Sequence, residues 1–196
     1  MDHATVTENL RSAAALLSAR ADDRLFVAAV ADAAARMAAA FRRGGKVIAC
    51  GNGGSMSDAA HFAEELTGRF RDDRPALPAI AVTDPGHLTC VANDYGFEHV
   101  FARFVSAHGR TGDVLLAIST SGTSANVLAA AREAAARGMD VVALTGRAGS
   151  PLAAAAAVEI CAEAGADAGA AQQVHIVAIH SMIEGIEGAL FGPGRR

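Results

Sequence analysis

The pattern of apolar and polar positions divides the chain into a helical leader and a series of short apolar runs. Residues 4–43 are alanine-rich with helical periodicity, broken at Ala21-Asp22-Asp23, where an aspartate can accept from the free N–H groups of a second helix. This predicts a helical hairpin ahead of a sheet. Runs of strand length follow at 46–50, 79–83, 114–119, 141–145 and, more weakly, 158–162, with helical patterns between most of them. A wholly apolar run such as Val114-Leu115-Leu116-Ala117-Ile118 suits a strand covered on both faces, as in a parallel sheet of βαβ units. The expected fold is α/β: a three-layer αβα sandwich with a five-stranded parallel sheet. It forms one domain over 1–196, divided into N-terminal helices (1–43) and a core with a C-terminal helix (44–196). Residues 55–70 read as a helix. Residues 172–190 read as the last one, stopped by Gly192-Pro193-Gly194, and the small-residue segment 163–171 before it reads as a mobile loop.

Two loops stand out against this pattern. Cys50-Gly51-Asn52-Gly53-Gly54-Ser55 and Ser119-Thr120-Ser121-Gly122-Thr123-Ser124 each follow an apolar run and open a helical one. Free N–H groups at a helix start, the helix dipole and closely approaching glycine backbone together suit a phosphate, with hydroxyls as further donors and no lysine. The first loop lacks both the dinucleotide fingerprint and the Gly-Lys-Ser/Thr of a Walker loop. Ser55 with Asp58 also matches a capping box, and turn and cap chemistry is the alternative for Ser119, Ser121 and Ser124.

On the 55–70 helix, His61 and Glu65 fall at i and i+4 on one face, a spacing that lets them share a proton, bind one metal ion, or form a plain surface pair. Glu64 points elsewhere and reads as a solvated charge. His180, in an apolar stretch, is open to reading as a hydrogen-bonded core histidine. Asn93-Asp94-Tyr95-Gly96 reads as an Asx turn or as a holder of sugar hydroxyls, and Arg69 and Arg71 flank Phe70 at a helix end. His87, His99 and His108 show no ligand spacing.

Composition narrows the function. The 196 residues are 52% hydrophobic, enough for one core, and the net charge of −4 with no basic stripe argues against a nucleic-acid surface. No apolar stretch reaches the roughly 20 residues of a membrane span, and the first residues lack a signal-peptide pattern, so a cytoplasmic protein with no membrane association is expected. Cys50, Cys90 and Cys161 have no C-x-x-C spacing and read as small core residues rather than disulfides or thiolate ligands.

At Gly51-Asn52-Gly53-Gly54-Ser55, Asp58 to Leu66, Arg69-Phe70, Arg74-Pro75, Ala92 to Tyr95 and Ser119 to Gly122 the chain resembles the phosphoheptose isomerases of the sugar isomerase (SIS) fold. The resemblance covers nearly the whole chain. It implies conversion of sedoheptulose 7-phosphate into D-glycero-D-manno-heptose 7-phosphate through an enediol, in heptose supply for surface glycans. A homotetramer built with the N-terminal helices and a zinc ion per site are also implied. Carried over by motif, Ser55, Ser119, Thr120, Ser121 and Ser124 hold the phosphate, and Asn52, Gly53, Gly54, Asn93, Asp94 and Gln172 contact the substrate. Glu65 is the base and His180 the acid, with His61, Glu65, Gln172 and His180 as the zinc ligands. Around 167–176 the chain departs from the family, with Ala170, Ala171 and Gln173 where arginine, isoleucine and glutamate are usual. Helical phase alone sets Gln173 rather than Gln172 in line with His180. The departure keeps open an isomerase of another sugar phosphate. A non-catalytic relative binding the replication initiator is the other alternative, and the joint presence of His61, Glu65 and His180 favours catalysis.

Overall fold

The computed structural model describes residues 2–165 and 167–192. Helices α1 (His3–Asp22) and α2 (Arg24–Arg42) form the expected hairpin. Its corner is Asp23, whose carboxylate accepts from Leu25 N (2.9 Å) and Phe26 N (3.3 Å) and so starts α2. Then come β1 (Val47–Gly51), α3 (Gly54–Thr67), β2 (Ala79–Ala81), α4 (Pro85–Tyr95), a 3₁₀ turn (Phe97–His99) and α5 (Val100–His108). The rest is β3 (Val114–Ser119), α6 (Ala125–Ala136), β4 (Asp140–Thr145), α7 (Pro151–Ala154), β5 (Val158–Cys161) and α8 (Ala168–Phe191).

All strand pairs are parallel, in the order β2-β1-β3-β4-β5. Alternate residues build two cores. Val47, Ala49, Val114, Leu116, Ile118, Val142 and Leu144 face α2, α3 and α8. Ile48, Cys50, Leu115, Ala117, Val141 and Ala143 face α5, α6 and α7. This is the three-layer sandwich, and burial on both faces explains why the strands read as continuous apolar runs. The chain leaves β1 towards β2 and returns to β3 on the other side of β1. The crevice at the carboxyl ends of β1 and β3 is therefore a topological switch point, where open α/β sheets bind ligands.

Several boundaries differ from the sequence reading. Strand β2 stops at Ala81 because Asp84 caps α4 through His87 N (2.7 Å). Helix α3 stops at Thr67, not Phe70, with Gly68 in a non-helical conformation. Residues 168–171 are the first turn of α8 rather than a mobile loop, because Asp167 accepts from Gly169 N (2.9 Å) and Ala170 N (3.1 Å). Ala166, Pro193 and Gly194 lie outside the described residues, and Gly192, at φ 90°, ends α8. Asn93 and Asp94 are in the last turn of α4, not in an Asx turn after it. Of the cysteines only Cys50 is core; Cys90 is exposed and Cys161 half-buried. Helix α8 has the length and mean hydropathy (1.3 over its best window) of a membrane span, which the sequence reading did not anticipate. One side of it is core: Val174, Ala178, Ile179, Met182, Ile183 and Ile186 are buried.

Candidate active site

The loop after β1 is shaped by glycine. A Cβ on Gly51 would lie 2.7 Å from that of Ser55, and Gly53 turns the chain at φ 55° to become the N-cap of α3. Ser55 N donates to Asn52 O (3.0 Å), and Ser55 is buried in the first turn. No capping box forms, since Gly53 caps α3 and one Asp58 oxygen is buried without a partner among the described residues. Burial also raises the Asp58 pKa, an effect the nearby His61 partly offsets.

The loop after β3 gathers hydroxyls. Ser119 Oγ lies 3.0 Å from Ser124 Oγ and 3.4 Å from Ser121 Oγ, and Ser121 Oγ accepts from Thr123 N (3.2 Å). Ser124 occupies the N-cap position of α6 without a side-chain cap bond; its hydroxyl turns to Ser119 instead. The two loops are sutured by Asn52 and Asn126, whose amides exchange hydrogen bonds of 2.9 and 2.8 Å. Asn126 was missed in the sequence because nothing local distinguishes it. On the far side, Gly146 N donates to Thr120 O (2.9 Å), and a Cβ on Gly146 would sit 2.5 Å from that oxygen. Thr120 and Ser121 line a cavity of about 260 Å³ together with Arg147, Asp167 and Ala168.

Helices α3 and α8 run side by side from these loops and bring the remaining residues together. At their starts Gln172 packs on Gly54, where a Cβ would meet Gln172 Nε2 at 2.1 Å. Gln173 is exposed and lines a groove with Asn9 and Ser12 of α1. Two turns along, His61 Nε2 is 2.9 Å from His180 Nε2 and 3.6 Å from Glu65 Oε1. The His180 ring rests against Phe70, centroids 5.3 Å apart. Glu64 is exposed, as expected of a solvated charge, but it does not point elsewhere: its Oε1 lies 3.0 Å from His61 Nδ1. A carboxylate oxygen accepts, so Nδ1 is the donor in this contact, and Nε2 is the ring atom that faces His180 and Glu65.

The cluster suits a metal ion: a tetrahedral site sets its ligand atoms about 3.3 Å apart, and His61 Nε2 has neighbours at 2.9 and 3.6 Å. With a metal on Nε2, Glu64 would orient the ring through Nδ1. His61, Glu64 and Glu65 also have ligand atoms mutually within 4.8 Å. Asn93 and Asp94 stand apart: Asn93 Nδ2 donates to Asp94 Oδ1 (2.8 Å), and Asp94 Oδ2 accepts from Cys90 Sγ (3.7 Å). Among the described residues, their side-chain bonds are to each other and to Cys90.

A phosphate-shaped pair of loops at the switch point, beside an imidazole and carboxylate cluster, defines a sugar-phosphate protein of the SIS class. The family described as "SIS domain" matches residues 8–146. The phosphoheptose isomerase of Edwardsiella ictaluri is 50% identical over 182 residues, 93% of this chain and 94% of that protein. The solved phosphoheptose isomerases of Neisseria gonorrhoeae (40% identical, 94% of this chain and 97% of that one) and Francisella tularensis (36%, 93% and 96%) both superpose with a TM-score of 0.87. This chain belongs to the phosphoheptose isomerase family of SIS-domain proteins.

Proposed function

We propose that the chain is the aldose–ketose isomerase that converts sedoheptulose 7-phosphate into D-glycero-D-manno-heptose 7-phosphate, supplying heptose for surface glycans from the cytoplasm. The observation that carries this reading is the convergence of His61, Glu65 and His180 on the α3–α8 seam, two turns from the serine loops. Ser55, Ser119, Thr120, Ser121 and Ser124 hold the phosphate with the backbone at Gly53 and Gly54, which fixes the far end of a seven-carbon chain. Asn52, Asn93, Asp94 and Gln172 meet the sugar hydroxyls. Glu65 takes a proton from C1 of the ketose and returns it to C2. His180 moves the hydroxyl protons, so that O1 loses one as C1 becomes the aldehyde and O2 gains one.

Zinc held by His61, Glu65 and His180, with Gln172 as the further ligand that the family resemblance implies although it packs on Gly54 two turns away, would polarise the carbonyl and stabilise enediolate charge. The cluster favours an enzyme over a binding protein, because a protein that only binds phosphate has no use for a base and an acid two turns away. Self-association as a homotetramer fits an apolar groove of about 820 Å³ along α1, α2 and α8, lined by Phe26, Val27, Val30, Val174 and Val177 among others. The substrate is tested by comparing kcat/KM for sedoheptulose 7-phosphate with that for five- and six-carbon ketose phosphates, with mass-resolved products. A clear preference for the seven-carbon substrate is expected; preference for a shorter one would assign the chain to another sugar phosphate.

A further inference from the structure

The link between α3 and β2 crosses one face of α8, and its residues meet that helix at regular intervals. His180, Glu184 and Glu187 are spaced i, i+4 and i+7, on one side of the helix. Phe70 covers the ring of His180; Arg71 lies over Phe70, 5.2 Å from its centroid, and is ion-paired with Glu184. Arg74 Nε donates to Glu187 Oε1 at 2.8 Å, and the two side chains are only 4% and 15% exposed. The other arm of the Arg74 guanidinium turns to α3. Its Nη2 donates to Glu65 O (2.7 Å), and its Nη1 donates to Leu66 O (2.7 Å) and Gly68 O (3.0 Å). The end of a helix leaves its last carbonyls without intrahelical donors, and a guanidinium there satisfies them and complements the dipole. One buried side chain thus ties the backbone of Glu65 to the helix that carries His180.

We infer that Arg74 is a positioning residue for the Glu65–His180 pair, resting on the isomerase reading above. It touches neither reacting group's side chain. It sets the axial register of α3 against α8, and with it the approach of the Glu65 carboxylate to the two imidazoles. Lysine cannot replace it, because a single ammonium does not span an ion pair on one helix and three carbonyls on another.

The experiment compares wild type with Arg74→Met, Arg74→Lys and the milder Glu187→Gln. For Arg74→Met, kcat is expected to fall about 10- to 100-fold, as for a displacement near 1 Å between reacting groups. KM and inhibition by inorganic phosphate should stay within about two-fold, because the serine loops lie at the other end of α3. Arg74→Lys should recover thermal stability without recovering kcat, and Glu187→Gln should lower kcat in the same direction. A purely structural arginine gives the opposite split: melting temperature falls and kcat per intact phosphate site does not, which overturns the inference. Imidazole NMR at fixed pH provides a readout that needs no turnover. The His180 ring signals should move in Arg74→Met while those of His175, anchored on Thr145 O, stay in place; unmoved His180 signals would also overturn it. Absence of wild-type turnover would sink the isomerase reading alone and leave the NMR comparison to judge Arg74.

Discussion

His175 is fully buried, donates from Nε2 to Thr145 O at 2.9 Å, and has its Nδ1 buried without a partner among the described residues. Burial pushes its pKa below the ordinary value of 6.5, with the Thr145 bond acting the other way. The unfolded chain therefore binds the extra proton first. The contribution of His175 to stability is whole above about pH 6.5 and is lost as pH falls towards the lowered folded value. His175→Gln, which keeps a donor towards Thr145, should flatten this acid limb in melting curves taken between pH 7.5 and 5; an unchanged limb would exclude His175 as its source. Cys50, buried against the second core, has its thiol pKa pushed up to about 12, whereas Cys90 is exposed. Thiol labelling of the native protein at pH 8 should modify Cys90 and spare Cys50, and mass spectrometry would show any reversal. At this scale the sequence revealed local spacing only. The i, i+4 relation of His61 and Glu65 was visible, but the contact of His61 with His180 joins positions 119 residues apart. The turn of Glu64 back onto His61 depends on a rotamer choice.

Between α3 and α8 the fit is close because Gly54 leaves space for Gln172. Gly54→Ala would push a methyl group into the Gln172 amide, and the flexible end of that side chain would swing aside at little cost in stability. The expected result is a raised KM for the sugar phosphate with little change in melting temperature. A Gly54→Ala variant with unaltered KM would place Gln172 away from the substrate. Elements with strong periodicity were legible: the three central strands and the N-terminal hairpin lie within one residue of where their patterns put them. Ends were less so. The start of α8 is hidden in a run of alanine and glycine whose only signal is the cap at Asp167, and that aspartate shows its role only once its carboxylate accepts from Gly169 N and Ala170 N. Edge strand β2 is short because Asp84 claims the chain for α4.

The molecule as a whole has its candidate site at the carboxyl ends of β1 and β3 and along the α3–α8 seam, and an open apolar groove along the helical hairpin and α8. Val27 and Val177 are 50% and 45% exposed on that groove, and exposed valines at facing positions suit contact with further copies of the chain. Val177→Asp should shift the protein to smaller species in light scattering; a mass unchanged by the substitution would remove this groove from the assembly. Amphipathic patterning shows that a helix has an apolar face but not which part of it the rest of the chain leaves uncovered, so the groove was not legible in the sequence. The switch point was legible, because two glycine and serine loops following parallel strands could meet only at the strands' carboxyl ends.

The central proposal is that the α3–α8 cluster is the proton shuttle of a seven-carbon sugar-phosphate isomerase. Its most direct test is turnover of sedoheptulose 7-phosphate by purified wild type and Glu65→Gln side by side, with inorganic phosphate inhibition or binding as a check on the loops. Wild type should form a mannoheptose 7-phosphate, and Glu65→Gln should lose turnover by about 100-fold or more while binding phosphate as before. Equal rates for the two proteins, or no product from a wild type that binds phosphate, would contradict it.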